Sequence, residues 1–209
     1  MATESKEILS ILHKKYPNLK YYLNYSNHLE LVVAAILSPQ VKDEIVNAAT
    51  PELFKKYKTA KDFADADFNE LFWYIKSITF AGNKTKHIIE ACKILNERYK
   101  SNIPKTVDEL SKLPGIGRKT AQAILQNAFD LVEGIVVDTH VLRISYRLGW
   151  SDTDKKADKS EKDLIKIIPK NEWKTLPWLL KAHGREVCIA PVPKCSICLV
   201  KEFCPKKGV

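Results

Sequence analysis

The chain lacks any long run of apolar residues among its 209 positions. Its longest apolar stretch, Leu31 to Leu37, falls far short of the roughly 20 residues that a membrane-spanning helix needs. The N-terminal sequence MATESKEILS also has no apolar segment of the kind found in signal peptides. These two absences predict a soluble protein that stays inside the cell.

Strand patterns are also scarce, because Val and Ile rarely alternate with polar residues. Apolar residues recur instead at helical spacing, which predicts an all-α fold. Cys92 lies on one such stripe, so we expect it in the core rather than in a functional site. The two clearest stripes are Ile8, Leu9 and Leu12, and Ile88, Ile89, Cys92 and Leu95.

Acidic residues are in short supply. The chain has 25 Asp and Glu against 34 Lys and Arg, which gives a net charge of +9 at pH 7. An excess of this size suggests a polyanionic partner, and nucleic acid is the commonest one. Charge alone also allows a basic protein that has no such partner.

Cysteine is rare over most of the chain, but four of the five cysteines lie in the last 22 residues. Their spacing is C-x6-C-x2-C-x5-C, and in a reducing compartment such a group indicates a metal rather than disulfides. Four thiolates can hold a [4Fe–4S] cluster or a structural zinc. Zinc sites usually have two close cysteine pairs, whereas only one close pair is present here. The four residues are Cys188, Cys195, Cys198 and Cys204.

A turn with two glycines joins two predicted helices. The first helix begins with a capping box at 106–109 and ends at Leu113-Pro114, and the second runs from about Arg118 to Phe129. Gly115 and Gly117 are expected to adopt backbone angles closed to other residues and to let a phosphate approach.

The second helix of this pair has first-turn amides without internal partners, so its N-terminus is a potential anion site. Ile116 between the glycines can anchor the turn in the core. These features predict a helix-hairpin-helix that grips the DNA backbone without reading sequence. The alternative is an ordinary Pro-Gly turn between helices.

Lys119 lies in the first turn of the second helix, away from the face marked by Ala121, Ile124 and Leu125. The positive helix end and Arg118 disfavour its ammonium form, and a neutral amine can attack a sugar carbon to form a Schiff base. From spacing alone, a lysine that only contacts phosphate is the simpler hypothesis.

Asp138 follows the apolar segment that ends at Val137 and precedes a predicted helix, which places it at an N-cap. A carboxylate there stays ionised and can stabilise a cationic sugar transition state or take a proton. A cap without catalytic function is the simpler hypothesis for this residue taken alone. His140 is expected to be structural rather than catalytic.

Together, these segments resemble the endonuclease III family of helix-hairpin-helix DNA glycosylases and AP lyases over nearly the whole chain. The resemblance implies a [4Fe–4S] cluster rather than zinc, and it assigns Lys119 and Asp138 as the catalytic pair. The segments that carry it are ILSPQVKD at 36–43, LPGIGRKTA at 113–121, VDTH at 137–140, HGREVC at 183–188 and the cysteine tail.

The resemblance also implies two helical lobes with a DNA-binding cleft between them. One lobe, residues 22–132, would be a six-helix barrel containing the hairpin, and the other, residues 1–21 and 133–209, would carry the cluster. Duplex DNA with a damaged or abasic nucleotide would be the partner, and the damaged base would leave the stack. A monomeric, nucleoid-associated protein of the prokaryotic cytoplasm is expected.

Several residues correspond to DNA contacts of the family. Gln40 would fill the gap left by the flipped base, with a solvent-facing loop residue as the alternative. The segment 78–80 would wedge the opposite strand, with core packing as the alternative for Ile78 and Phe80. The remaining predicted contacts are Leu113, Gly115, Gly117, Arg118, His140 and Lys194.

Three departures from the family pattern bear on substrate preference. Gln122 stands where Asn is frequent, and Thr79 and Ala81 replace the more usual glycine and aromatic residue. The segment Ile189 to Lys194 keeps one basic residue, which weakens its expected DNA contact.

Lys119 favours a bifunctional enzyme that excises damaged, oxidised pyrimidines and cleaves 3′ to the abasic site by β-elimination. Adenine-mismatch enzymes lack this lysine and use a glutamate in the helix before Gln40, yet Leu31 to Leu37 has no carboxylate. Two alternatives remain: a G:T or G:U mismatch glycosylase of the same fold, which usually has tyrosine at position 119, and a non-catalytic DNA-binding protein.

Overall fold

The computed structural model describes residues 2–209. Within that range the secondary structure is entirely helical, and this confirms the predicted all-α fold. Three short 3₁₀ helices accompany the α-helices, at Lys170–Glu172, Cys195–Ile197 and Lys201–Phe203. The α-helices are α1 (Ala2–Lys15), α2 (His28–Leu37), α3 (Asp43–Lys56), α4 (Ala60–Ala64), α5 (Phe68–Ile75), α6 (Ala81–Tyr99), α7 (Val107–Leu110), α8 (Arg118–Phe129), α9 (Thr139–Arg147), α10 (Ala157–Ile167) and α11 (Leu176–Glu186).

The described chain divides into two compact units. One unit comprises residues 21–131 and contains α2 to α8, and the other comprises residues 2–20 and 132–209. No helix in the described range is long and apolar enough to cross a membrane.

The unit of residues 21–131 is built around α2. Every side chain from Leu31 to Leu37 is buried, because this helix is apolar on all sides and packs against α3, α6 and α8. The Asn27 side chain caps α2 by accepting a hydrogen bond from the Glu30 amide. Cys92 is fully buried in the same core, which confirms its predicted place.

The pair α7 and α8 forms the hairpin. Thr106 caps α7, as predicted, by accepting from the Glu109 amide, and its hydroxyl also donates to the Glu109 carboxylate. Helix α7 ends at Leu110 rather than at Leu113, and residues 111–113 form a turn and a bend before the Pro-Gly turn. The predicted start and end of α8 match the structure.

The other unit has its own core. The predicted stripe of α1 is buried there with side chains of α9, α10 and α11, which confirms that α1 packs through this face. The polar and charged sequence of residues 151–160 predicts a solvated loop, but α10 already begins at Ala157. Ser151 and Ser160 are buried, and the Ser160 hydroxyl lies 3.1 Å from that of Ser145 on α9.

Candidate DNA-repair active site and cysteine cluster

Gly115 occupies the turn of the hairpin with φ +79°, a conformation that L side chains rarely adopt. A Cβ atom at this position would lie 3.0 Å from Nδ1 of His87 and 3.1 Å from Cγ2 of Ile36. Both the backbone angle and the close packing therefore call for glycine, as the sequence predicted.

Gly117 differs from Gly115. Its φ of −89° and ψ of 173° are open to any residue, so the prediction of a glycine-specific backbone angle is wrong here. Gly117 is the N-cap of α8, no side chain caps this helix, and a Cβ would meet no atom within 4 Å. Open space therefore lies in front of the first-turn amides of α8, while neighbouring Ile116 anchors the turn in the core.

Arg118 and Lys119 form the first turn of α8, and both are exposed. The opposite face of the helix is buried through Ala121, Ile124 and Leu125. Two cationic side chains thus flank the open N-terminus of α8. Such a terminus carries a partial positive charge and attracts anions.

Gln40 is exposed and lies in the left-handed region with φ +58°, just after the end of α2. Phe80 is 60% exposed, has φ +61° and precedes the first residue of α6. Both side chains can therefore contact a ligand. Few residues other than glycine adopt such angles, and they are held there only where the surroundings require it.

Ile78 and Leu113 are buried, with exposed fractions of 3% and 2%. Their side chains pack in the core of residues 21–131 and do not face solvent. For Ile78 the structure fits the core alternative, so Phe80 alone supplies an exposed apolar group in the segment 78–80. The Leu113 carbonyl accepts from the Ile116 amide, which closes the turn of the hairpin.

Asp138 is the N-cap of α9, as predicted. Its Oδ1 atom accepts from the amides of His140 and Val141, each at 2.8 Å. Both bonds end on the same oxygen, so the cap fixes the half-buried carboxylate without using Oδ2.

His140 is half-buried beside Asp138, and its Nδ1 lies 3.3 Å from Nη2 of Arg143. Burial lowers the pKa of His140, and the positive charge of Arg143 lowers it further, although Asp138 acts in the opposite direction. Gly184 on α11 permits this packing, since a Cβ there would lie 2.6 Å from Nδ1 of His140. The lowered pKa favours a neutral imidazole, and because arginine can only donate, Nδ1 of His140 accepts from Arg143.

Two arginines of α9 hold the segment that begins at Cys188. Arg143 donates to the carbonyls of Gly184 and Cys188. Arg147 is buried and donates to the carbonyls of Ile189 and Pro191 at 2.8 and 2.9 Å. The sequence does not predict these contacts for either arginine, because a charged residue on a helix usually faces solvent.

Cys188, Cys195, Cys198 and Cys204 line one cavity of about 400 Å³, which includes the part open to solvent. All four thiols are free, and each is partly buried. Arg147 lies against two of them: its Nη1 is 3.4 Å from Sγ of Cys188, and its carbonyl accepts from the Cys204 thiol at 3.2 Å. Lys194 is exposed at the rim of the same cavity.

The four cysteines that line this cavity are a donor set of the kind that holds a metal centre. Across residues 2–209, no three His, Cys, Asp or Glu side chains converge closely enough to hold one metal ion. A [4Fe–4S] cluster takes one thiolate on each iron, so its four ligands surround a cavity.

Comparison with known proteins agrees with this description. Residues 33–170 match the model of the HhH-GPD superfamily of base excision DNA repair proteins. The endonuclease III of Synechocystis sp. is 41% identical over 199 residues, which cover 95% of this chain and 90% of that protein.

Solved structures give the same result. A trapped covalent intermediate of endonuclease III with DNA superimposes with a TM-score of 0.91 at 38% identity, covering 99% of this chain and 96% of the other. A thermostable thymine-DNA glycosylase superimposes with a TM-score of 0.85 at 18% identity, covering 98% and 96%, and thus shares the fold. This chain belongs to the endonuclease III family within the HhH-GPD superfamily of base excision DNA repair proteins.

Proposed function

We propose that this protein is a bifunctional DNA glycosylase and AP lyase that removes damaged, oxidised pyrimidines from duplex DNA. The observation that carries the proposal is the exposed Lys119 in the first turn of α8, beside a helix N-terminus that no side chain caps. This arrangement presents an amine next to a site for a DNA phosphate. A location in the prokaryotic cytoplasm, on the nucleoid, goes with this function.

In the proposed reaction the neutral amine of Lys119 attacks C1′ of the damaged nucleotide. The bond from C1′ to the base breaks, and the base leaves with the electron pair and takes up a proton. Ring opening then gives an imine between Lys119 and C1′. Asp138, fixed by the α9 cap, stabilises the positive charge that develops on the sugar.

The imine makes the C2′ proton acidic. Removal of that proton moves its electron pair towards the imine, and the 3′ phosphate leaves as the C3′–O bond breaks. Water then hydrolyses the imine and frees Lys119. The DNA strand is thereby cut 3′ to the lesion, with water as the only added reactant.

DNA binding would use the main chain of the hairpin together with exposed side chains. Gly115 and Gly117 allow a phosphate to reach the α8 amides, and Arg118 adds a positive charge beside them. Gln40 would fill the gap left by the flipped base, and Phe80 would wedge the opposite strand. Leu113 contributes by closing the turn, while His140 and Lys194 are proposed as further contacts.

A panel of duplexes tests the reaction. Purified protein should release thymine glycol and dihydrouracil and should cut an abasic strand. Exclusive action on uracil or thymine opposite guanine would instead indicate the mismatch glycosylase. A protein that binds every duplex but leaves every strand whole would be the non-catalytic alternative.

The cysteine tail is proposed to hold a [4Fe–4S] cluster through Cys188, Cys195, Cys198 and Cys204. When bound, the cluster would cross-link a segment whose short 3₁₀ helices have little apolar content of their own. The Arg147 contacts with the first and last of these cysteines would hold the ligands in place.

Metal analysis of anaerobically purified protein should find about four irons per chain, with broad visible absorption. Cys198→Ser should lose iron and give poorly soluble protein. Cys92→Ala is the matched control, because Cys92 is buried in the other unit and should leave the iron content unchanged. Zinc without iron in the wild-type protein would contradict the cluster.

A further inference from the structure

Lys84 is a buried lysine that the proposed reaction does not use. It lies in the first turn of α6 and is only 5% exposed. Its Nζ atom donates to the carbonyl of Leu37 at 2.7 Å and to that of Pro39 at 2.8 Å. A buried ammonium is costly unless such acceptors surround it, so these bonds account for its place in the core.

The two carbonyls belong to the turn that carries Gln40. Leu37 is the last residue of α2, where carbonyls have no partner within the helix and where a cation is favourable. The turn closes through a bond from the Val41 amide to the Ser38 carbonyl, and Gln40 between them has φ +58°. Lys84 therefore fixes a turn in which Gln40 has an uncommon backbone conformation.

The same lysine is joined to Phe80. The Lys84 amide donates to the Phe80 carbonyl at 3.1 Å in the first hydrogen bond of α6. Phe80 also has a positive φ and an exposed side chain. One residue thus links the turn of Gln40 with Phe80, another proposed DNA contact.

Burial lowers the pKa of Lys84 to about 8, while the two carbonyl acceptors favour the charged form. The side chain is therefore mainly cationic at neutral pH. Its bonds to Leu37 and Pro39 are charge-assisted and hence stronger than bonds between neutral groups.

We propose that Lys84 is a positioning residue that holds the 37–40 turn in the conformation from which Gln40 enters the DNA. The inference rests on the proposed function, since it takes Gln40 as the residue that fills the gap of the flipped base. Lys84 is not expected to touch DNA, because its ammonium is buried against the two carbonyls. Substitution of Lys84 should therefore affect repair by changing the position of Gln40.

The test compares Lys84→Met, which keeps the length of the side chain, with Lys93→Met. Lys93 is exposed on the same helix, so the control removes the same charge without disturbing the turn. Insertion is measured with a duplex that carries a stable abasic analogue beside 2-aminopurine, whose fluorescence rises when the stack opens. Base release from thymine glycol is measured in parallel, and visible absorption with thermal unfolding checks that each variant is folded.

Lys84→Met should reduce the fluorescence rise and slow base release on the order of 10-fold, since a misplaced contact group costs this much or more. Binding of undamaged duplex should change little, and Lys93→Met should match the wild type. In a Gln40→Ala background, Lys84→Met should add little further loss. If Lys84→Met does not fold, Lys84→Gln, which keeps an N–H donor, is compared in the same double-mutant cycle and should show the same lack of additivity.

Three results would overturn this role. Lys84→Met could behave as the wild type while Gln40→Ala is slow, or the two losses could be fully additive. The third result is that Lys84→Met weakens binding to undamaged and lesion duplexes equally. If the wild-type protein itself releases no base, the proposed function fails, whereas the fluorescence readout still reports whether Lys84 controls insertion.

Discussion

The N-termini of α8 and α9 meet the same physical requirement in opposite ways. Both helices begin with amides that lack internal partners. At α9 the carboxylate of Asp138 accepts from two of them, whereas at α8 the N-cap is Gly117 and no side chain takes this place. One terminus is closed by the protein and fixes a negative charge, and the other stays open to an external anion.

The comparison indicates that the residue at an N-cap can serve function rather than helix stability. Asp at the cap of α9 serves both purposes, because the bonds that stabilise the helix also orient the carboxylate. Gly at the cap of α8 forgoes a side-chain cap, although the open space beside it would accommodate one. Substitutions that alter one terminus at a time can separate the two purposes.

The largest of these effects is expected at α9. Asp138→Asn should keep the cap, since Asn caps helices as well as Asp does, but it removes the charge. Base release should slow by roughly 10²-fold, the scale of a lost preorganised electrostatic group. Single-turnover kinetics on a thymine glycol duplex measure this change.

Asp138→Ala supplies the contrast. It loses both cap and charge, so thermal unfolding should show a further loss of about 1 kcal/mol that Asp138→Asn does not show. If Asp138→Asn released bases at the wild-type rate, the residue would be a cap and no more.

A smaller effect is expected from closing the α8 terminus. Gly117→Asp places a carboxylate where a DNA phosphate is proposed to bind, and the backbone angles accept it without strain. Binding of undamaged duplex should weaken. The slope of log K against log salt should become shallower by about 0.9 for each phosphate that the variant no longer neutralises.

Gly117→Ser is the uncharged companion of this variant. It should cap α8 through its hydroxyl and raise the free energy of unfolding by a few tenths of a kcal/mol, while weakening DNA binding less than Asp does. Unchanged affinity in Gly117→Asp would show that no phosphate lies at this terminus.

The sequence was informative wherever a feature depends on local chemistry. The cap at Asp138, the bounds of α8 and the turn at Gly115 follow from residue types and spacing, and the structure agrees. At Gly117 the same reasoning was wrong, because the backbone angles there are open to any residue and a Cβ atom would meet no other atom within 4 Å.

The sequence could not indicate which cationic side chains are buried or half-buried. Lys84, Arg143 and Arg147 lie on helices whose charged residues are expected to face solvent. Their partners are main-chain carbonyls, many of them more than forty positions away, and any residue supplies a carbonyl. Only the folded arrangement therefore distinguishes them from surface lysines and arginines.

The smallest effect concerns one of these cations. Because the folded pKa of Lys84 is about 8 and its ordinary value is 10.5, the unfolded chain holds one more proton than the folded chain between these pH values. Stability should therefore rise with pH across this window, as the cost of the buried charge disappears. Denaturant unfolding at several pH values measures the free energy of unfolding. Its slope against pH in this window should be greater for the wild type than for Lys84→Met. Equal slopes in the two proteins would show that a group other than Lys84 causes the pH dependence.

The most direct test of the account is reductive trapping at the open terminus of α8. An imine between Lys119 and an abasic site is reducible, so borohydride should link the wild-type protein to abasic DNA as a stable adduct. Lys119→Gln should give no adduct and no strand cleavage while keeping its affinity for the duplex. A Lys119→Gln protein that is trapped and cuts at the wild-type rate would show that another amine is the nucleophile and would contradict the account.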